Sequence, residues 1–363
     1  MAVKKTGISR DLIFHPGETL AEVLEERGIT QAELAAQTGV SPAFISNVIK
    51  GKKDISAKFA FALEYALDVP KSFWMNLQAH YDAELLEFNE MQTITDEERE
   101  ARAALNEVVK YLRQRGKMPV GENRDASILS LRKVLQFSNI ANLKDIIPEG
   151  AFRMAANTVV EPYVMGAWIR LCQLVSNDNA ITARFNPDKI DELVEALKRN
   201  MRQDEAILPE ALKNTMSEYG IDFALLRNFR GAPVQGYISQ KSSGVYQMVL
   251  TLRGSFADIF WFSLFHELGH IMNGDVGKTA KFVDMRTDGE KEIKADQFAG
   301  NKLLSSDEYD KFIKKGSFDI ESIEAFASSQ SVMPYVVIGR LQKEKRLPYS
   351  SYSSYRTRYK WAK

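Results

Sequence analysis

The sequence predicts a mainly α protein with one small β-sheet, an α+β chain whose strands are confined to a single stretch. Three observations lead there. Apolar residues recur at helical spacing through most of the chain. Only between Gly220 and Arg253, in "DFALLRNFRGAPVQGYISQKSSGVYQMVLTLRG", do β-formers alternate with Gly, Ser and Pro turns. The 363 residues are too many for one ordinary domain. The expected order is an all-α amino-terminal domain at 1–87, a helical linker region at 88–150, a sheet-containing domain at 151–345 and a basic, Tyr-rich tail at 346–363.

From Gly17 to Gln78 the pattern is one of short amphipathic helices with tight breaks. Within it, "TQAELAAQTGVSPAFISNVIKGKK" has the grammar of a helix-turn-helix. Thr30 and Ser41 stand at N-cap positions, and Gly39 stands where a tight turn needs a permissive backbone. Ala35, Val40, Ile45 and Val48 are small or apolar, so the two helices can cross closely. If Pro42 begins the second helix, Ser41, Pro42, Ala43, Phe44, Ser46 and Asn47 lie on its first turns, from which such a helix reaches base edges. Gln31, at the start of the first helix, is a further candidate contact. Lys50, Lys52, Lys53 and Lys58 follow with only Asp54 among them, where phosphate contacts are useful. A plain helical hairpin for protein contacts is the alternative. Total charge keeps it open, since residues 1–82 carry nine cations against ten anions.

"MQTITDEEREARAALNEVVKYLRQRGK" then reads as a separate charged helix, with Thr95 and Glu98 as a capping box and Pro119 and Gly121 beyond its end. Further helical patterns surround "ILSLRKVLQF", "YVMGAWIRLCQLV" and "KIDELVEALKRNMRQ". Across the chain 48 basic and 48 acidic residues cancel, so nucleic-acid contact must come from a local patch. The single cysteine, Cys172, excludes a disulfide framework and reads as an inert thiol on a buried helix face. The start lacks the apolar run of a signal peptide, and no stretch reaches the roughly 20 residues of a membrane span. The expectation is a cytoplasmic protein with no membrane partner.

"FWFSLFHELGHIMNGD" places two of the four histidines and a glutamate in one of the most apolar runs of the chain. Burying such a cluster is costly without compensation, and a divalent metal compensates. His266 and His270 are four apart, so on a helix both rings reach one ion. Glu267, about 100° round from His266, is placed to take a proton from a zinc-activated water. Ser255 with Asp258 reads as the cap opening this helix and "NGD" as its end. A third ligand is needed, and "EKEIKADQFAGNKLL" offers one on a face formed by Glu292, Ala295, Asp296, Ala299 and Leu303. Glu292 is assigned as that ligand, Asp296 as the acceptor of a ligand histidine's ring N–H, and Glu290, about 200° away from Glu292, to solvent. Either helix alone would read as core histidines or a solvated acidic face; together they point to Zn²⁺. Gly269 inside the helix signals the close approach of a neighbour, expected to be a strand.

Two resemblances follow from these motifs. Phe14 to about Asp82, with its initial His-Pro-Gly-Glu, the helix-turn-helix and the closing "FWMNLQAHYD", resembles the HigA-type antitoxin branch of the phage-repressor-like helix-turn-helix family. That implies operator binding, usually as a homodimer, and makes His15 and His80 packing and hydrogen-bonding residues rather than ligands. H-E-x-x-H followed by E-x-x-A-D-x-F-A resembles the ImmA/IrrE metallopeptidases, from about Ala151 to Lys345. This resemblance implies a zincin-like, gluzincin-type domain and zinc-dependent endopeptidase action on a repressor-type or toxin protein, or on the chain itself. It also implies an edge strand for substrate, placed around Val245 to Leu252, and an oxyanion-stabilising group, for which Tyr335 is the candidate. The alternative is a non-enzymatic antitoxin or repressor whose metal domain is a sensor or docking platform. Lys343, Lys345, Arg346, Arg356, Arg358, Lys360 and Lys363 make the tail basic, which suits either a solvated terminus or contact with nucleic acid or an acidic surface.

Overall fold

The computed structural model describes residues 10–147, 160–175, 181–241, 244–276, 282–284 and 289–361. The chain divides into two compact units, one from residues 1–103 and 112–140 and the other from 104–111 and 141–363. The boundary expected at 150, the family resemblance's start at Ala151, and Lys4, Lys5 and Lys363 lie outside the described residues. Among the described residues no helix is long and apolar enough to cross a membrane.

The first unit opens with α1 (Pro16–Arg27), α2 (Gln31–Thr38), α3 (Pro42–Ile49), α4 (Ala57–Leu67) and α5 (Lys71–Gln92). Polar caps set these ends. His15 Nδ1 accepts the Gly17 N–H at 2.9 Å, and Thr30 and Ser41 accept the N–H groups of Glu33 and Phe44 at 3.2 and 3.1 Å. Gly39 takes the left-handed conformation at φ +70° that closes α2. Leu20, Leu34, Ile45, Val48, Leu63 and Trp74 are fully buried between the helices, so one apolar stripe from each short helix makes a common core.

The expected single charged helix is three pieces: α5 runs on through Gln92, and α6 (Asp96–Ala104) and α7 (Asn106–Gln114) follow. Thr95 explains the first break. Its hydroxyl accepts the Glu98 N–H at 3.2 Å, and Glu98 reaches back to the Thr95 N–H at 3.5 Å, so the capping box restarts the helix inside the charged run. Glu98 is fully buried and takes Arg132 of α8 (Arg124–Leu135) at 2.6 and 2.9 Å.

In the second unit, α9 (Pro162–Leu174) carries the buried Cys172 and is followed by α10 (Ile190–Asn200) and α11 (Leu208–Glu218). The sheet comprises β1 (Ile221–Leu225), β2 (Gly236–Gln240), β3 (Tyr246–Leu250) and β4 (Phe282–Asp284) in the order β1-β3-β2-β4. β1 is parallel to β3, and β2 is antiparallel to both β3 and β4. This corrects the edge-strand role given to Val245–Leu252. β3 is interior, and its buried Met248, Val249 and Leu250 suit a strand covered on both sides; β1 and β4 are the edges.

Five helices complete the unit: α12 (Ala257–Met272), α13 (Glu290–Leu303), α14 (Ser306–Lys315), α15 (Ile320–Ser329) and α16 (Pro334–Lys343). Gly269 does mark a close approach, but of a helix rather than a strand. A Cβ on it would fall 2.9 Å from the Ala295 Cα of α13. The cap expected from Ser255 and Asp258 is also absent. Ser255 is left-handed at φ +62°, Phe256 is the N-cap, and no side chain caps the helix. The tail fills in instead. The Ala257 N–H donates to Thr357 O at 3.0 Å and the Tyr359 N–H to Ser255 O at 2.7 Å, while the Arg356 and Arg358 guanidinium groups lie 3.7 and 4.1 Å from the Phe256 ring.

Candidate metal centre and nucleic-acid interface

His266, Glu267 and His270 project from buried turns of α12, and Glu292 from the first turn of α13. They are 4%, 0%, 0% and 8% exposed, although all four are polar. The Gly269–Ala295 contact brings the two helices close enough for the Glu292 carboxylate to reach both rings: Oε2 is 3.2 Å from His266 Nε2 and Oε1 is 3.6 Å from His270 Nε2. The two Nε2 atoms are 3.0 Å apart, and one donor atom from each of the three residues lies within 4.8 Å of the others.

The outer faces of the rings fix their tautomers. His266 Nδ1 lies 2.8 Å from Asp296 Oδ1, and His270 Nδ1 lies 2.9 Å from Asp275 Oδ2. Each Nδ1–H therefore donates to a carboxylate and each Nε2 turns a lone pair inward. Two lone pairs and a carboxylate facing one point repel one another unless a cation lies between them. Burial holds the His270 imidazole below the usual histidine range; His266 pushes the same way, and Asp275 and Glu292 oppose it. A neutral ring is the form that binds metal. The donor set of two imidazoles and one carboxylate suits zinc and leaves a position open.

Glu267 lies against the sheet. A Cβ on Gly236 of β2 would fall 2.1 Å from its Oε1, so the absence of a side chain there makes room for the carboxylate. Glu290 faces solvent as expected, 2.7 Å from Lys294. Asp296 takes its expected place beside His266, half-exposed. Asp275 was not expected. "NGD" reads as a helix end, and only the Gly274 turn, at φ +72°, shows that the chain doubles back to place Asp275 beside His270. Tyr335 does not join the histidines; its electrostatic neighbours are Tyr359, Trp261 and Asp258, at the opening turns of α12.

In the first unit Gln31, Ser41, Pro42 and Ala43 are exposed at the starts of α2 and α3, and Ser46 and Asn47 are half-buried. Phe44 also makes contacts within the unit. Its ring, half-buried like Ser46 and Asn47, packs edge-on against Phe59 at 5.0 Å and carries Lys53 Nζ at 5.1 Å. Lys50, Lys52 and Lys53 are exposed just past α3, and the Asn47 carbonyl holds their loop by accepting the Lys52 and Lys53 N–H groups at 2.8 and 3.2 Å. His15 is a buried cap with its ring edge-on to Tyr81 at 4.7 Å, whereas His80 is exposed and 3.6 Å from Glu84.

Two crossed short helices with a Gly turn, polar caps and an exposed leading end on the second define a helix-turn-helix domain. Residues 20–74 match the helix-turn-helix family model, and this amino-terminal part of the chain belongs to that family. Two proteins of Dichelobacter nodosus are similar to it. Virulence-associated protein A' is 41% identical over 69 residues, 19% of this chain and 60% of that protein. Virulence-associated protein I is 32% identical over 75 residues, 20% of this chain and 69% of that protein. Among solved structures, that of the Pseudomonas aeruginosa antitoxin HigA with the higBA promoter is 38% identical, covering 20% of this chain and 78% of that one at a TM-score of 0.19. This chain thus spans less than two thirds of virulence-associated protein A'.

Proposed function

We propose that the chain is an antitoxin-like, DNA-binding transcriptional regulator that carries a zinc-dependent endopeptidase centre in its second unit. The observation that supports the enzymatic half best is the convergence of His266, His270 and Glu292, with donor atoms within 4.8 Å, beside the fully buried Glu267. The resemblance of this motif pair to the ImmA/IrrE peptidases agrees with it. Zinc, when bound, supplies the Lewis acidity that makes a water nucleophilic near neutral pH. Glu267 takes the proton of the attacking water and passes it to the leaving amine. Among the described residues β4 pairs only with β2, the strand that carries Gly236, and this sheet edge is where an extended peptide can lie. The substrate class is a repressor-type or toxin protein, or the chain itself.

For the other half, operator DNA is the partner, read by the exposed start of α3 with Gln31 and held by Lys50, Lys52 and Lys53 on phosphate, in a two-fold dimer. The deciding experiment incubates the zinc-loaded chain and its Glu267→Gln variant with candidate repressors and follows both chains by mass spectrometry. Cleavage by the parent, falling by at least about a hundredfold in the variant while zinc content is unchanged, is the expected result. Equal rates would remove the peptidase. No cleavage of any chain, with operator binding intact, favours a non-enzymatic regulator with a metal-stabilised docking or sensor domain. That second reading is supported by the helix-turn-helix match at residues 20–74.

A further inference from the structure

We infer that Asp275 is a positioning residue of the metal centre and the firmer of its two histidine anchors. The inference rests on the metal-centre reading above. Asp275 Oδ2 lies 2.9 Å from His270 Nδ1, and the Asp275 N–H donates to the His270 carbonyl at 3.0 Å. Its other carboxylate oxygen is 3.5 Å from Lys291 Nζ, and Lys291 immediately precedes Glu292. One side chain thus ties the ligand on the last turn of α12 to the first turn of the helix that supplies the third ligand. Asp275 is not itself a ligand in this arrangement, because it sits on the Nδ1 side of the ring and the ligand atoms converge on the Nε2 side.

The two anchors differ in their surroundings. Each carboxylate turns its second oxygen to a lysine, Asp275 to Lys291 at 3.5 Å and Asp296 to Lys343 at 3.8 Å, but the Asp275 side chain is 7% exposed and that of Asp296 48%. Water competes for Asp296. Asp275 is largely shielded from it, and a hydrogen bond to a charged acceptor is stronger where water is excluded. His270 is accordingly the more rigidly aimed ring and Asp275 the more costly anchor to lose.

The test titrates Zn²⁺ into the full chain against a chromophoric chelator, and Co²⁺ for its visible absorption, in the parent and in Asp275→Ala, Asp275→Asn and Asp296→Ala. Circular dichroism checks each fold. The parent binds one zinc. Asp275→Ala weakens it by about 10–100-fold, more than Asp296→Ala does, and alters the Co²⁺ spectrum. Asp275→Asn keeps an acceptor oxygen and falls between parent and alanine variant. A folded Asp275→Ala chain that holds zinc as tightly as the parent overturns the inference, as does a larger loss from Asp296→Ala. If the alanine variant does not fold, Asp275→Asn decides: weaker zinc supports the role and parental affinity overturns it. A parent chain that takes up no zinc overturns the metal-centre reading and this inference together.

Discussion

At Gly269 a single missing carbon sets the distance between the helices that meet at the metal centre. A methyl there would stand 2.9 Å from the Ala295 Cα and 3.1 Å from its carbonyl oxygen, both backbone atoms that cannot rotate away. Gly269→Ala gains about 1 kcal/mol of helix propensity but forces α12 and α13 apart, and overpacking of this kind costs typically 1–3 kcal/mol. We predict net destabilisation of about 1 kcal/mol with weakened zinc binding, measured by denaturant unfolding and metal titration; a stabilised variant with parental affinity would contradict it. The same residue shows what a sequence discloses. A helical glycine in an apolar run says that something passes close by, yet a strand and a helix demand it equally. His266 and His270 were legible because their spacing of four is a property of one helix face, and Glu292 because it shares the apolar face of the next helix with Ala295 and Ala299. Asp275 was not, because its return to His270 depends on the conformation of the loop after α12.

At the scale of elements, the break between α5 and α6 was hidden by charge. Alternating acidic and basic residues look alike in one long helix and in two short ones, and Glu98 carried two meanings at once, cap partner and buried ion-pair member. Its burial alone would raise its carboxyl, but Arg132 and the Ile140 and Thr95 N–H groups outweigh that and leave it below the ordinary 4.5. The folded value lies under the unfolded one, so the stabilisation is complete above about pH 4.5 and is lost as pH falls through the lower, folded value. Unfolding of the full chain in urea at stepped pH is expected to show this loss. Glu98→Gln lowers stability by roughly 2 kcal/mol at pH 7, since it removes the buried one of the two carboxylates that pair with Arg132 and leaves only Glu90, and the variant is less sensitive to acid over that window. The sheet's order was likewise beyond the sequence. The β-rich stretch holds β1, β2 and β3 but not β4, which lies outside it at Phe282–Asp284, and which strand lies in the middle is decided by pairing across the chain.

For the molecule as a whole, a metal that binds only the folded state shifts its unfolding. At free zinc about a hundredfold above the dissociation constant, the gain is about 2.7 kcal/mol, or roughly 5–10 °C for a domain of this size. Scanning calorimetry with zinc and with excess chelator is expected to differ by that much in the parent and not at all in His266→Ala; an identical pair of scans for the parent would leave the centre without a thermodynamic role. The class of the whole was readable, mainly helical with one small sheet, because helical periodicity and a single β-rich stretch are each local signals.

The tail's grip on the start of α12 bears on how the protein comes off the ribosome. Trp261 finds its hydroxyl partner, Tyr359, 98 residues later, and Ala257 takes its backbone acceptor from Thr357. The helix that carries His266 and His270 therefore gains these contacts only once Thr357 and Tyr359 have been synthesised, while the core of α1 to α4 is complete once Trp74 has been. A nascent chain thus acquires its helix-turn-helix early and the contacts that close the start of α12 late.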